Sequence, residues 1–380
     1  MKFTIAAEAL KDAVKDAASV ADPKSTHPAF GLFLVRSDDP KCLTVTATDG
    51  AQRLEVLSGA EVSVTGGLCI SAANLADNAA QMRGTVAASL EGDGLVLDDG
   101  FGATVLNPDV MRPDQYPPGD DDLAVACSFR AKGAVLASLL RSASISVNTN
   151  AVPGQLDGAA FDVSGDDLGI LASDGKSVVF ARTKVESPTF GKPETTRFVG
   201  TMAETAVKTA VELLKRARED VTVSFTVGRG TIVTPLFKYS FPLTNYSRQL
   251  PWRDGHANVP TEGPGGTFDT RTLLAAVQRA YACIREDAET QAVTVAIEPS
   301  GATVCSGGRR GKSRACCPVA EFHGAAPSGF RVSGKLLGQH LRNFGEGAVR
   351  LVVTPNVVAL NHDNVVASLA LMVNAPEPAA

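Results

Sequence analysis

Residues 43–56, LTVTATDGAQRLEV, and residues 168–180, LGILASDGKSVVF, carry the same signature, with Asp49 and Asp174 lying 125 positions apart. An apolar run that alternates with polar residues and ends in Asp-Gly reads as a strand closed by a turn. The Asp side chain bonds back to the next amides, and glycine accepts the positive φ that the turn needs. One hairpin written twice at the spacing of a small domain points to tandem repetition. Such a period decides the fold before any local motif does.

The flanking sequence repeats with it. A phenylalanine-containing strand runs into an amphipathic helix around Phe3, Phe129 and Phe268, at spacings of 126 and 139. In the first of these helices Leu10, Val14, Ala17 and Ala21 form one apolar stripe. A second helix follows a hydroxyl residue suited to N-capping at Ser71, Thr201 and Ser333, spaced by 130 and 132. Each repeat then closes on β-rich sequence: SLEGDGLVLDDGFGATVL, VTVSFTVGRGTIVTPLFKYSF and VRLVVTPNVVALNHDNVVASLALMV. The connectors NPDVMRPDQYPPGDDD and RQLPWRDGHANVPTEGPGG are rich in Pro, Asp and Gly. The expectation is an α+β chain of three tandem domains, at 1–122, 123–252 and 253–380, each with two helices packed on sheets. In the third, the place of the Asp-Gly turn is assigned to VTVAIEPSG.

Composition narrows the function classes. The 380 residues are 44% hydrophobic and 20% charged, with a net charge of −5. No apolar run approaches the roughly 18–20 residues that span a bilayer. The start MKFTIAAEALKDAVKDAA lacks the pattern of a secretory signal, so a cytoplasmic location and no membrane contact are expected. The seven cysteines (42, 69, 127, 283, 305, 316, 317) show no CxxC spacing, and the five histidines are scattered. No metal and no cofactor is expected. GGRRGKSR at 307–314 lacks the leading glycine of a phosphate-binding loop and precedes a strand rather than a helix. Cys305, Cys316 or Cys317 with His323 would be the pair to carry a cysteine-dependent reaction, but no catalytic motif surrounds them.

The MKFTI start, LTVTATDG, ASDGK, NYSRQLP, FRVSGKLL and the terminal SLALMV stand in the order of the bacterial DNA polymerase III beta subunit. The chain resembles that family, the beta sliding clamps, over essentially its whole length, as a divergent member. The resemblance implies a non-catalytic processivity factor, two copies of which close head to tail around duplex DNA. Each copy would be half of the ring. Helices would line the inside, and the partners would be the replicative DNA polymerase, the clamp loader and other proteins bearing a clamp-binding motif. The alternatives are a scaffold of the same three domains that forms no ring, and the cysteine enzyme.

The resemblance also implies sites. A short apolar peptide would dock on Leu156, Ser173, Gly175, Lys176, Val178, Arg248, Leu371 and Met372. Ser177, Gln249, Val373 and Asn374 depart from the family pattern there, so an altered peptide preference is expected. DNA would be met by Lys24, and by helix residues whose wheel positions face away from the core: Lys208, Lys215, Arg279, Lys335 and Arg342. Ala73 and the VPGQ segment stand where the family has further DNA contacts. The dimer interface is expected at Cys283 and Ile284 on one side and at Ala103 and Val105 of FGATVL on the other.

Overall fold

The computed structural model describes residues 1–92, 94–119, 123–147, 156–192, 194–244, 259–286, 291–308, 311–324 and 329–372. Within them a strand runs straight into a helix six times. Lys2–Ala6 leads into α1 (Ala7–Ala18), Gly67–Ser71 into α2 (Ala72–Gln81), and Val125–Lys132 into α3 (Gly133–Ser144). Arg197–Ala203 leads into α4 (Glu204–Leu214), Gly265–Asp269 into α5 (Thr270–Ala282), and Phe330–Ser333 into α6 (Gly334–Phe344). Phe3, Phe129 and Phe268 are all buried in the strands that open α1, α3 and α5. Each anchors its junction in the core, which is why the phenylalanine recurs with the helix.

The order strand, helix, five strands, helix, three strands occurs three times among the described residues, over 2–106, 125–244 and 265–370. Two of the three expected hydroxyl caps are made: Ser71 Oγ accepts from the Asn74 amide and Ser333 Oγ from the Leu336 amide. Thr201 is not a cap. Its strand continues through Ala203, pairing Thr201 with Ala160 and Ala203 with Gly158, so the helix starts at Glu204. The Thr201 hydroxyl is buried there without a hydrogen-bond partner among the described residues. In the first helix the stripe is Ala7, Leu10, Ala13, Val14 and Ala17, and Ala21 lies past the helix end.

The element order also corrects the third turn. The Asp-Gly turns join the third and fourth strands of their repeats, and the third repeat's counterpart is the hairpin of Gly301–Gly308 and Gly311–Cys317. VTVAIEPSG instead covers the preceding turn. The basic stretch GGRRGKSR is therefore the third version of ATDG and ASDG, with residues 309–310 outside the described set.

By contacts the chain divides into two compact units: Met1–Ala134 with Glu186–Thr196 and Thr209–Leu243, and Val135–Val185 with Arg197–Lys208 and Thr244–Ala380. The first holds a nine-stranded antiparallel sheet in the order 67–71, 32–39, 42–48, 53–59, 237–244, 229–233, 220–226, 125–132, 186–190. A five-stranded sheet of 61–64, 2–6, 85–91, 94–98 and 103–106 accompanies it. The second unit holds a nine-stranded sheet in the order 197–203, 158–164, 167–173, 177–184, 365–370, 357–362, 348–353, 265–269, 321–322. Its smaller sheet runs 311–317, 301–308, 292–298, 330–333.

Each large sheet thus joins two repeats, and by the same strands. The strand after the Asp-Gly turn pairs with the last strand of the following repeat, Arg53 opposite Ser240 and Val178 opposite Ser368. Counted from the two aspartates, Arg53 and Val178 occupy one position, so the register is the same at both junctions.

Candidate functional site

The second Asp-Gly turn is built by its own side chains. Asp174 Oδ1 accepts from the Lys176 amide at 2.9 Å and the Ser177 amide at 2.6 Å, and Ser173 Oγ accepts from the Gly175 amide at 3.3 Å. Gly175 sits at φ 79°. A β-carbon on it would meet no described atom within 4 Å. The last strand runs past this turn: the Ala370 amide donates to the Lys176 carbonyl at 2.9 Å, and the chain goes on to Leu371 and Met372. Leu371 is half-buried and Met372 is 40% exposed.

Leu156 is buried in a small cluster with Ala160, against Leu171 and Val199. Leu156, Ser173, Gly175, Lys176, Val178, Leu371 and Met372 all belong to the second unit, and six of them cluster at the turn and the strand beside it. Arg248 lies outside the described residues, as do Gln249, Val373 and Asn374. His340 of α6 is wholly buried in this unit, and neither ring nitrogen has a hydrogen-bond partner among the described residues. Burial pushes its pKa down to about 4, against a smaller pull upward from Asp174.

The first turn repeats the construction. Asp49 Oδ1 accepts from the Ala51 and Gln52 amides at 2.8 and 2.5 Å, Thr48 Oγ1 accepts from Gly50 at 3.1 Å, and Gly50 sits at φ 89°. Here described residues cover the surface. A β-carbon on Gly50 would fall 2.5 Å from Cζ of Phe30, whose ring stacks on His27. Tyr116, from the first connector, is buried on Ala29, Leu32, Leu34 and Cys69, and Met111 packs beside it. The Tyr116 hydroxyl donates to the Leu32 carbonyl at 3.2 Å. Arg53 donates to the Pro117 carbonyl at 2.6 Å and lies over the Tyr116 ring. No local motif marks these residues in the sequence. Numbering the repeats from their helix starts would have found Phe30, which takes the position of Leu156.

The basic residues fall into two sets. Lys208 pairs with Glu204, Lys215 with Glu212 at 2.5 Å, and Arg216 with Asp12 and Asp16 at 3.2 Å each. The wheel positions had left Lys208 and Lys215 free; a glutamate about one turn earlier in the sequence offsets each of them, whereas Arg216 is met by two aspartates of α1. Arg279, Lys335 and Arg342 are exposed, and none has an ion pair among the described residues. Lys335 and Arg342, with Arg285, line a groove of about 430 Å³ between α5 and α6, beside Gln278, Tyr281 and Gln339. Lys24 is exposed in the loop before Phe30.

Ala103 and Val105 are exposed on a strand paired on one side only among the described residues. Cys283 is half-buried at the end of α5. Ile284 is 1% exposed and so presents no surface of its own. Among the described residues no cluster of His, Cys, Asp or Glu could hold a metal, and no helix is long and apolar enough to cross a membrane. His323, the imagined catalytic base, shares a 2.7 Å hydrogen bond with Thr267.

Three rounds of one element order, joined through shared sheets, give the fold of a DNA sliding clamp. Solved structures that match it include bacterial DNA polymerase III beta subunits. A sliding clamp from Bacillus subtilis superposes with a TM-score of 0.82 at 16% identity, over 99% of this chain and 100% of that one. The beta subunit from Thermotoga maritima gives 0.81 at 16% identity over 98% and 100%. A Helicobacter pylori beta clamp bound to a DNA ligase peptide gives 0.79 at 12% identity over 98% and 100%. No protein-family model and no curated protein matches the sequence. At such identities the likeness establishes the fold.

Proposed function

We propose that this chain is a non-catalytic sliding clamp: two copies close around duplex DNA and tether a replicative polymerase and other proteins carrying clamp-binding peptides. The observation that carries the reading is the element order repeated three times, matched end to end by clamps. Three domains at about 1–122, 123–252 and 253–380 are part of the proposal, as is loading by a clamp loader.

The sheet-joining rule supports a dimer. The strand after the Asp-Gly turn takes the last strand of the next repeat, at 53–59 with 237–244 and at 177–184 with 365–370. Among the described residues, strand 311–317 of the third repeat ends the smaller sheet of the second unit, and strand 103–106 of the first repeat ends that of the first unit. Each therefore ends a sheet with an unpaired edge, which a second copy can pair. Lys312 and Arg314 are exposed on the first edge, and Asp98 and Asp99 lie on the hairpin of the second, so unlike charges would meet. This reading keeps Ala103 and Val105 at the interface. It sets strand 311–317 opposite them, with Cys283 alongside and Ile284 supporting from within.

DNA would be met by Lys24, Arg279, Lys335 and Arg342, with Lys208 and Lys215 contributing less because each shares its charge with a glutamate. Every phosphate neutralised costs about 0.9 log unit of affinity per log unit of salt. A short list of contacts gives weak, salt-sensitive binding to short duplex, while closure supplies retention.

The decisive experiment loads the protein on nicked circular DNA and then linearises the circle. Release within the time of sliding off the ends, against long retention on the intact circle, is the expected result; equal lifetimes would overturn encirclement. For the peptide site, Met372→Ala and Val178→Ala should each weaken a polymerase clamp-binding peptide by about thirtyfold, an anchor loss near 2 kcal/mol. The mass by light scattering should stay at two chains.

A further inference from the structure

The two Asp-Gly turns share their hydrogen bonds, their glycine φ and the register of the neighbouring strand. What differs, among the described residues, is the cover. Over Gly175 no described atom lies within 4 Å of where a β-carbon would stand, whereas Gly50 lies under the Phe30 ring. Beside the first turn, Tyr116 fills the apolar surface of Leu32 and Leu34. The positions matching these two are Gly158 and Ala160, as their pairing with the strands before α2 and α4 shows.

We infer that the first turn is a second copy of the peptide site, kept shut by the chain's own Phe30 and Tyr116, and that removing the two rings opens it to the peptide that binds at Gly175. The inference rests on the clamp reading for the identity of that peptide, and on the internal repeat for the existence of the site. The physical argument is substitution. An aromatic ring laid on a glycine turn and a second ring in an apolar recess are held here by the local loop and the connector. Both rings come with little entropic cost, since they belong to the same fold, and a peptide in solution has to displace them. The Arg53 hydrogen bond to the Pro117 carbonyl fastens the connector that carries Tyr116. Val178, at the equivalent position, has no such group.

The site so closed explains how a chain with two equivalent junctions would offer one docking place per copy.

The test counts peptides. A peptide carrying a replicative polymerase's clamp-binding motif is titrated calorimetrically into the whole protein. Wild type is expected to take one per chain, and Phe30→Ala/Tyr116→Ala two. Adding Val178→Ala and Met372→Ala to that variant should leave the one at the first turn. A folded double variant that still takes one peptide overturns the inference. No binding to wild type but one peptide on the double variant would uphold the inference and sink the clamp-peptide reading; no binding to either sinks both. If the double variant does not fold, Phe30→Ala alone, which removes a half-exposed ring, should add a second event about tenfold weaker than the first. Saturation at one peptide would again overturn it.

Discussion

The turn at 48–53 and the turn at 173–178 are the same device in two surroundings. In both, an aspartate gathers two amides, a hydroxyl holds the glycine amide, and the following strand pairs with the next repeat in one register. The backbone of the first is finished differently. Position 242 matches position 370, and Pro242 has no amide hydrogen to give. The Ala51 carbonyl is met by the Arg229 guanidinium at 3.0 Å instead, where Lys176 receives the Ala370 amide. The turn itself is kept, while the ring over its glycine and the group that meets its carbonyl differ among the described residues.

Three experiments press on this comparison. The largest effect is expected from Tyr116→Ala. It empties a buried recess in the first unit and should cost about 3–5 kcal/mol, read as a lowered urea midpoint. A loss below about 1 kcal/mol would mean the connector does not cover the first turn. Next is acid. His340 has its pKa lowered from 6.5 to about 4 by burial, so its neutral form is favoured in the fold. Its contribution is complete above pH 6.5 and drains away as the pH falls from 6.5 toward 4, by about 3 kcal/mol in all. The wild-type urea midpoint should fall more between pH 7 and pH 4.5 than that of His340→Leu; parallel pH profiles would remove His340 as the cause. The smallest is a matched pair. Gly175→Ala suffers only its positive φ, about 1 kcal/mol, whereas Gly50→Ala also strikes the Phe30 ring and should lose about 1–3 kcal/mol more. Phe30→Ala in the same chain should abolish the excess.

Much of this architecture was legible in the sequence because it rests on local signals. Phenylalanine before each first helix, alternation in each closing set of strands, and Asp-Gly in two turns all reflect forces acting within a few residues. The third turn was misplaced because its hairpin pairs Gly308 with Gly311, so it lacks the aspartate and is two residues tighter. Thr201 resembled a cap because a hydroxyl before a helical stretch also fits the end of a long strand. The pairing of Arg53 with Ser240 had no local mark, since any alternating edge strand could have taken that place. The residues expected to form a peptide site came from resemblance; six of them stand at the second Asp-Gly turn and the chain beside it. The cover on the first turn escaped notice because Phe30 and Tyr116 stand in proline-rich stretches that read as connectors. The charge pattern misled where helical pairs intervened: a wheel shows which way Lys208 points but not that Glu204 waits one turn earlier.

Sheets that cross repeat boundaries also set a timetable for synthesis. The first unit draws on three stretches of chain, the last ending at Leu243, with parts of the second unit made in between. The strand 53–59 must wait for 237–244 before its outer edge is filled. During translation at about 5–20 residues per second, that edge stands unpaired for roughly 10–40 seconds, a long exposure for a strand prone to join neighbours. The nascent chain therefore emerges with a half-made sheet whose completion depends on residues still inside the ribosome, and slowing elongation between positions 60 and 237 should raise aggregation of the newborn protein more than slowing it after 243.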